Sequence, residues 1–343
     1  IFKNWNLPLL HLDVTWVYEA ATTDKWQGHR LLAVDGPVTQ LPISNKLLEH
    51  FGKARPHAAM PHVRLSQLYD VKNNITLDLQ VESHSTGERE MALKHVNKTQ
   101  AGDLVVYDRG YPAVWFYKYH RLKNIDFCRR IVQSSNVVKA FLESEKYIDV
   151  VDFPCIEKSL HRCRKDKIST ESLRLRLVRV DLPSGESEIL VSSLTNLQAY
   201  PIALFADLYH QRRGVEEDYK VLKRRLNIEN YSSVSVEGVL QDLHAKLLTK
   251  NLAACAIHDA KQKIKKAKNN RLYEYKINFT FAVNQLKDNV VRFTMKLAEL
   301  ELYTLMINKI SKTLSVIRPN RKFVRKGSRT KPNKYPMNYK HVC

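Results

Sequence analysis

The chain has 343 residues, with 56 Lys and Arg against 35 Asp and Glu, a formal charge of +21 and a pI of about 9.7. That balance suits a protein that neutralises phosphates, and the length allows a sizeable core with an insertion or a second domain. No apolar run approaches the roughly eighteen residues of a membrane span and no signal peptide is legible, so membrane function classes are set aside.

In chain order, residues 1–29 read as a connector with Pro8 and a short amphipathic stretch at 12–19. From Arg30 the pattern is strand, turn and strand through Pro42, a short helix near 45–51, then strands near 62–69 and 75–82. Residues 87–96 read as helix, 103–107 as strand, 113–122 as helix and 126–133 as strand. Between 136 and 195 the pattern changes. Leu173-Arg-Leu-Arg-Leu-Val-Arg-Val alternates strictly, Pro183-Ser-Gly makes a turn, and Glu188 to Leu194 pairs back, which predicts a β-rich insertion. Its arginines suit either DNA contact or the solvated side of a hairpin. Residues 236–264 read as a long helix turning polar at 261–268, where a solvated helix end and a DNA contact both fit, and 279–305 continue the helical pattern. From Arg318 to Cys343 there are nine Lys or Arg, no acid and three prolines, the composition of a disordered arm that docks on phosphates. The five cysteines, at 128, 155, 163, 255 and 343, are an odd, scattered set that suits a reducing compartment. Cys155, His161 and Cys163 fall short of a fourth ligand at zinc-finger spacing, so zinc is not expected there.

The candidate chemistry lies in Tyr209-His-Gln-Arg-Arg-Gly-Val-Glu-Glu-Asp-Tyr-Lys-Val-Leu-Lys223. On one helix at ~100° per residue, Arg212, Glu216 and Lys223 fall at ~300°, ~340° and ~320° from Tyr209, and Lys220 at ~20°. Leu208, Val215, Tyr219, Leu222 and Leu226 gather between ~220° and ~280°, an apolar stripe beside the polar one. Such spacing by itself most often marks a solvated face with weak ion pairs. Two other segments add to it. His29-Arg-Leu-Leu-Ala-Val-Asp35-Gly36-Pro37 and Gly102-Asp-Leu-Val-Val-Tyr-Asp108-Arg-Gly110-Tyr are buried-strand patterns whose exits each carry an Asp and then turn formers. Carboxylates at neighbouring strand ends can converge, and a helix can supply a third.

Tyr-x2-Arg-x3-Glu-x6-Lys, with the upstream Asp-Gly and Asp-Arg-Gly-Tyr, resembles bacterial insertion-sequence transposases of the insertion-sequence-four type. The segments Arg64-Leu-Ser-Gln-Leu-Tyr-Asp-Val-Lys-Asn and Glu88-Arg-Glu-Met-Ala-Leu-Lys-His95 also look like stretches that family carries between its aspartates. The resemblance runs from about residue 31 to the basic tail. It implies an α/β chain with a ribonuclease H-like catalytic core over 30–135 and 196–230, the β-rich insertion at 136–195, a helical C-terminal region at 231–317 and the basic tail at 318–343. Asp35, Asp108 and Glu216 would be the catalytic metal ligands, holding two Mg²⁺, with Mn²⁺ as a substitute. Tyr209, Arg212, Lys220 and Lys223 would contact DNA. The implied activity is cleavage at the element ends by activated water, then attack of the freed 3′-hydroxyl on target DNA. The implied partners are double-stranded terminal inverted repeats, target DNA and a second copy in a synaptic homodimer, in a cytoplasmic, nucleoid-associated setting. Relatives carry a helical DNA-binding segment before the core. With Asp35 only 34 residues from Ile1, and no initiator Met, the chain is expected to be a fragment or to lack most of that segment. Alternatives are a ribonuclease H-like nuclease that only hydrolyses, and an inactive DNA-binding relative, against which the carboxylate trio argues. One departure stands out: where some relatives carry a tryptophan 21 positions before the tyrosine, this chain has Glu188.

Overall fold

The computed structural model describes residue 18 and residues 23–54, 57–111, 113–132, 136–181, 185–266, 273–294 and 300–318. The amphipathic stretch at 12–19, apart from Tyr18, the turn at Pro183 and Ser184, the last residues of the polar helix end and the basic arm after Arg318 lie outside them. The chain divides into two units, Thr22–Thr39 with Leu48–Lys220, and Gln40–Leu47 with Val221 onward.

The first unit is built on one mixed sheet, because the apolar runs are too short and too β-branched for helices and each ends in turn formers. At its centre is β1 (Leu31–Asp35), whose first four residues have no solvent exposure. It pairs antiparallel with β3 (His62–Asp70) and parallel with β5 (Leu104–Tyr107). The short β2 (Val38–Gln40) runs along β3, and β4 (Ile75–Ser83) pairs antiparallel with β3 across a turn at Asn74, φ 59°. On the other side β5 pairs parallel with β6 (Asp126–Ile131). The elements expected up to residue 131 are therefore present.

The strands of the expected β-rich insertion continue this sheet. Beyond β6 the sheet continues as β9 (Ser187–Ser192), β8 (Leu173–Asp181) and β7 (Ile148–Phe153), all antiparallel. The segment also holds two helices, Asn136–Glu143 and Glu157–Lys165. This placement decides the arginines of the alternating strand. Arg174 is exposed, but Arg176 is fully buried. Its Nη1 donates to the carbonyls of Tyr200 at 2.7 Å and Leu194 at 3.4 Å, and its guanidinium lies 4.6 Å from the Phe205 ring centre. With β8 flanked by a strand on each side and covered by a helix, Arg176 is a core clamp, neither a DNA contact nor a solvated side chain.

Helices flank the sheet. In chain order they are α1 (Asn45–Phe51), α2 (Glu88–Val96), α3 (Val114–Leu122), the α4 and α5 just given, α6 (Ala203–Gln211) and α7 (Arg213–Arg225). α3 brings Phe116 and His120 onto Tyr107 and stacks Tyr117 on Phe127. α6 covers Leu31, Val106, Cys128, Val178 and Leu190 with Phe205 and Leu208. Trp26 belongs to that same cluster and stacks on Tyr200 at 6.2 Å, while His29 bonds the Tyr200 hydroxyl at 2.7 Å. Residues expected as the end of a connector thus pack into the core, since a large indole buries more apolar area than it leaves exposed. In the second unit a single helix, α8 (Val236–Lys266), fits the long helix expected from 236. It packs against α9 (Phe279–Thr294) and α10 (Leu300–Lys312). A two-stranded pair, β10 (Glu274–Ile277) with β11 (Leu314–Ile317), was not foreseen, because four-residue strands leave too little period to read. Among the described residues, no helix is long and apolar enough to cross a membrane.

Candidate active site

Two of the three expected carboxylates are delivered by backbone alone. β1 and β5 are adjacent and parallel, with Val34 opposite Tyr107. Asp35 closes β1 and Asp108 follows β5, so both leave the sheet at the same end. Gly36 is required at this exit. A Cβ there would stand 1.9 Å from the Leu65 carbonyl oxygen, so only glycine lets the chain pass from β1 to β2 along β3. Its N–H donates to Asp35 Oδ1 at 2.9 Å.

The third comes from α7, and the expected single helix is interrupted. α6 ends at Gln211, Arg212 keeps helical angles (φ −52°, ψ −31°), and α7 begins at Arg213. Here Arg212 N–H donates to the Tyr209 carbonyl and Val215 N–H to the Arg212 carbonyl, three-residue spacings that tighten the turn. Gly214 sits at this joint because a Cβ would lie 2.9 Å from Val71 Cγ1. The apolar stripe behaves as expected: Leu208, Val215, Tyr219, Leu222 and Leu226 are all buried. Two contacts fix α7 to the strands. The Tyr219 hydroxyl donates to the Asp35 carbonyl at 3.0 Å, and Gln67, opposite Asp35 in β3, donates to Asp218 Oδ2 at 2.7 Å and to Thr76 Oγ1 at 2.6 Å.

Arg212 Nη2 donates to Glu216 Oε1 at 2.5 Å, across one helical turn. Tyr209 Oη lies 3.5 Å from Asp108 Oδ1. Lys220 pairs with Glu217 and Lys223 with Glu229 at 3.1 Å. A cavity of about 440 Å³ opens beside Asp108, lined among others by Arg130, Glu188, Tyr209, Arg212 and Arg213. Within it Arg130 bonds Glu188 at 2.5 Å and approaches Asp108 at 4.0 Å. The position that holds tryptophan in some relatives of the resembling family thus carries an acid whose partner is Arg130.

Burial is the main reason the Asp35 carboxyl is raised above its usual range, and the charges of Glu216 and Asp108 push the same way. The Gly36 N–H and the Arg212 guanidinium oppose them. The charges of Glu216, Asp108 and Arg212 therefore all reach the Asp35 carboxyl. Burial alone would lower the Arg212 pKa, but Tyr209, Asp108 and Glu216 together hold it above its ordinary value. Among the described residues, no three His, Cys, Asp or Glu stand grouped so that they could hold a metal ion.

Gln67, Asp218 and Arg130 were not singled out from sequence. Asp218 sits in an acidic triplet that gives no sign of which member points inward, and Gln67 and Arg130 lie on strands whose neighbours only the fold supplies. A buried line of Ser66, His95 and Asp78, bonded at 3.0 and 2.8 Å, is of a type associated with nucleophilic catalysis. His95 has no solvent exposure, so no substrate reaches it, and the line pins α2 to β3 and β4.

A large mixed sheet flanked by helices, with Asp35 and Asp108 leaving it at one end and a cavity lined by Asp108, Arg130 and Arg212 beside it, marks the class as an α/β domain. The profile of the family described as Transposase DDE domain matches residues 26–252. The chain belongs to that family. A piggyBac transposase, in a cryo-EM structure of its synaptic complex with hairpin DNA, is similar at a TM-score of 0.46 and 9% identity, over 85% of this chain and 59% of that one. This chain thus spans less than two thirds of that transposase's length. No curated protein matches the chain.

Proposed function

We propose that this chain is a metal-dependent DNA transposase of the insertion-sequence-four type, cutting at the ends of its element and joining them to target DNA. What supports this reading is that β1 and β5, parallel neighbours, end at Asp35 and just before Asp108, and that the charges of Asp108, Glu216 and Arg212 all act on the Asp35 carboxyl. The order β4-β3-β1-β5-β6, antiparallel then parallel, supports a ribonuclease H-like core over 30–135 and 196–230, with 136–195 added at one edge.

Asp35, Asp108 and Glu216 would hold the divalent ions, since carboxylate oxygens are the hard donors that Mg²⁺ and Mn²⁺ select. Bound there, two such ions would lower the pKa of the attacking water or 3′-hydroxyl and neutralise the leaving oxygen. The chain's own cations supply the rest. Arg212 offers a planar fork to a phosphate, and taking one would free Glu216 from the pair in which it now sits. Tyr209, Lys220 and Lys223 would grip flanking phosphates, the lysines by exchanging Glu217 and Glu229 for the nucleic acid. A second copy would bring the other element end, so that two terminal repeats are cut in one synapse.

The test is incubation of duplex DNA carrying the element's own ends, with target DNA, in Mg²⁺ and in chelator, with Asp108→Ala alongside. Metal-dependent cleavage followed by joined products supports the proposal. Hydrolysis without joining would make the chain a nuclease, and binding without cleavage in any metal would make it an inactive relative.

A further inference from the structure

The link between β7 and α5 carries Cys155, and α5 itself carries Cys163 on its second turn. Their sulfurs are 3.8 Å apart. We propose that Cys155 and Cys163 form a dithiol site that exchanges with small-molecule disulfides and closes into an intramolecular disulfide.

The separation is close to van der Waals contact, so side-chain rotation that closes about 1.8 Å reaches bonding distance. The two sulfurs differ in access. Cys163 is fully buried and Cys155 is partly exposed. A disulfide reagent in solution therefore meets Cys155 first. Burial, followed by the neighbouring Cys155, pushes the Cys163 thiol up to about 11, which suits a thiol that reacts only with a partner already beside it. His161 is exposed on α5, and no third His, Cys, Asp or Glu among the described residues completes a metal group with the pair.

The chemistry balances with oxidised glutathione as the disulfide. The Cys155 thiolate attacks one sulfur, breaking the reagent's S–S bond and releasing one glutathione thiolate. The Cys163 sulfur then attacks Cys155 in the mixed disulfide, forming the intramolecular bond and releasing the second glutathione. The two thiol protons pass to the departing thiolates, so the protein loses two electrons and the reagent gains them.

The experiment treats the folded chain with oxidised glutathione, traps free thiols with an alkylating reagent, and maps the peptides by mass spectrometry. Cys128, fully buried, reports opening of the fold. The expected result is concerted loss of both thiols, a Cys155–Cys163 crosslink reversed by dithiothreitol, and an unreacted Cys128. Cys163→Ser should stop at the glutathione adduct on Cys155, and Cys155→Ser should leave Cys163 reacting roughly tenfold more slowly or worse. Wild-type chain that ends as a stable Cys155 adduct overturns the proposal. So does a Cys128 that reacts as fast as the pair. The wild-type measurement decides even where a variant fails to fold, and it does not depend on the transposase assignment.

Discussion

At Gly36 an added methyl must displace the Leu65 carbonyl it would otherwise overlap, so Gly36→Ala moves β1 off β3 directly beneath Asp35. A loss of about 3 kcal/mol in unfolding free energy is expected in urea titration, with cleavage falling in step. Asp108 offers the opposite separation. Asp108→Ala removes a carboxylate but leaves Tyr209, Arg130 and Arg212 in place, so DNA affinity in gel-shift assays should hold or rise while cleavage drops at least ~100-fold. Retained Mg²⁺-dependent cutting by this variant would remove Asp108 from the site. His120 carries a pH prediction. Its Nδ1–H donates to the Phe116 carbonyl at 2.9 Å and its Nε2 accepts from the Tyr107 hydroxyl at 2.8 Å, and burial lowers its pKa from 6.5 to about 4. The unfolded chain takes up a proton below 6.5 that the folded chain refuses until about 4. The stability tied to this histidine is therefore complete above pH 6.5 and is lost as pH falls through that window, by about 3 kcal/mol in all. His120→Gln should flatten the stability–pH curve there, and an unchanged slope would exclude His120 as its cause.

The α6–α7 pair is held on its apolar side and spends its polar side on internal ion pairs. If Arg212 exchanges Glu216 for a DNA phosphate, Arg212→Ala should weaken binding to element-end DNA and flatten the dependence of log affinity on log salt by about 0.9. Lys223→Ala should do the same, since Lys223 likewise exchanges a carboxylate, Glu229, for a phosphate. Arg225, whose Nη1 donates to Thr280 Oγ1 at 2.7 Å, is the control. Arg213 lines the same cavity as Arg212, so it cannot serve as one. Equal salt slopes for the Arg212, Lys223 and Arg225 variants would leave the stripe as a solvated face. Just after the break at Arg212, Gly214 is a weak helix former placed where Val71 Cγ1 leaves little room for a side chain.

Across the whole molecule, the charge of +21 predicts that chelating divalent ions stops cleavage while leaving DNA binding intact, read as unchanged gel shifts in chelator. Binding lost together with the metal would mean that ions, not Lys and Arg, hold the DNA. Much of the fold was legible in the residues. Short apolar runs ending in turn formers marked β1, β3, β4, β5 and β6, and a 3.6-residue period marked the buried stripe of α6 and α7, because burial on one or both faces leaves its period in the sequence. Asp35 and Asp108 were legible as strand-end acids for the same reason. What periodicity cannot carry is which strand lies beside which. Residues 136–195 read from sequence as a β-rich insertion between Asp108 and Glu216, and only the pairing of β6 with β9 shows that its strands continue the central sheet, with Arg176 buried among them. The pairing of Glu216 with Arg212 needs only one helical turn and was within reach of the spacing. The contacts of Asp218 with Gln67, Tyr219 with the Asp35 carbonyl, and Arg130 with Glu188 join residues 58 to 184 positions apart. The residues by themselves determined the local elements and the kinds of chemical group available. Tertiary structure alone decided which groups meet, since contact between distant segments depends on packing that no local pattern records.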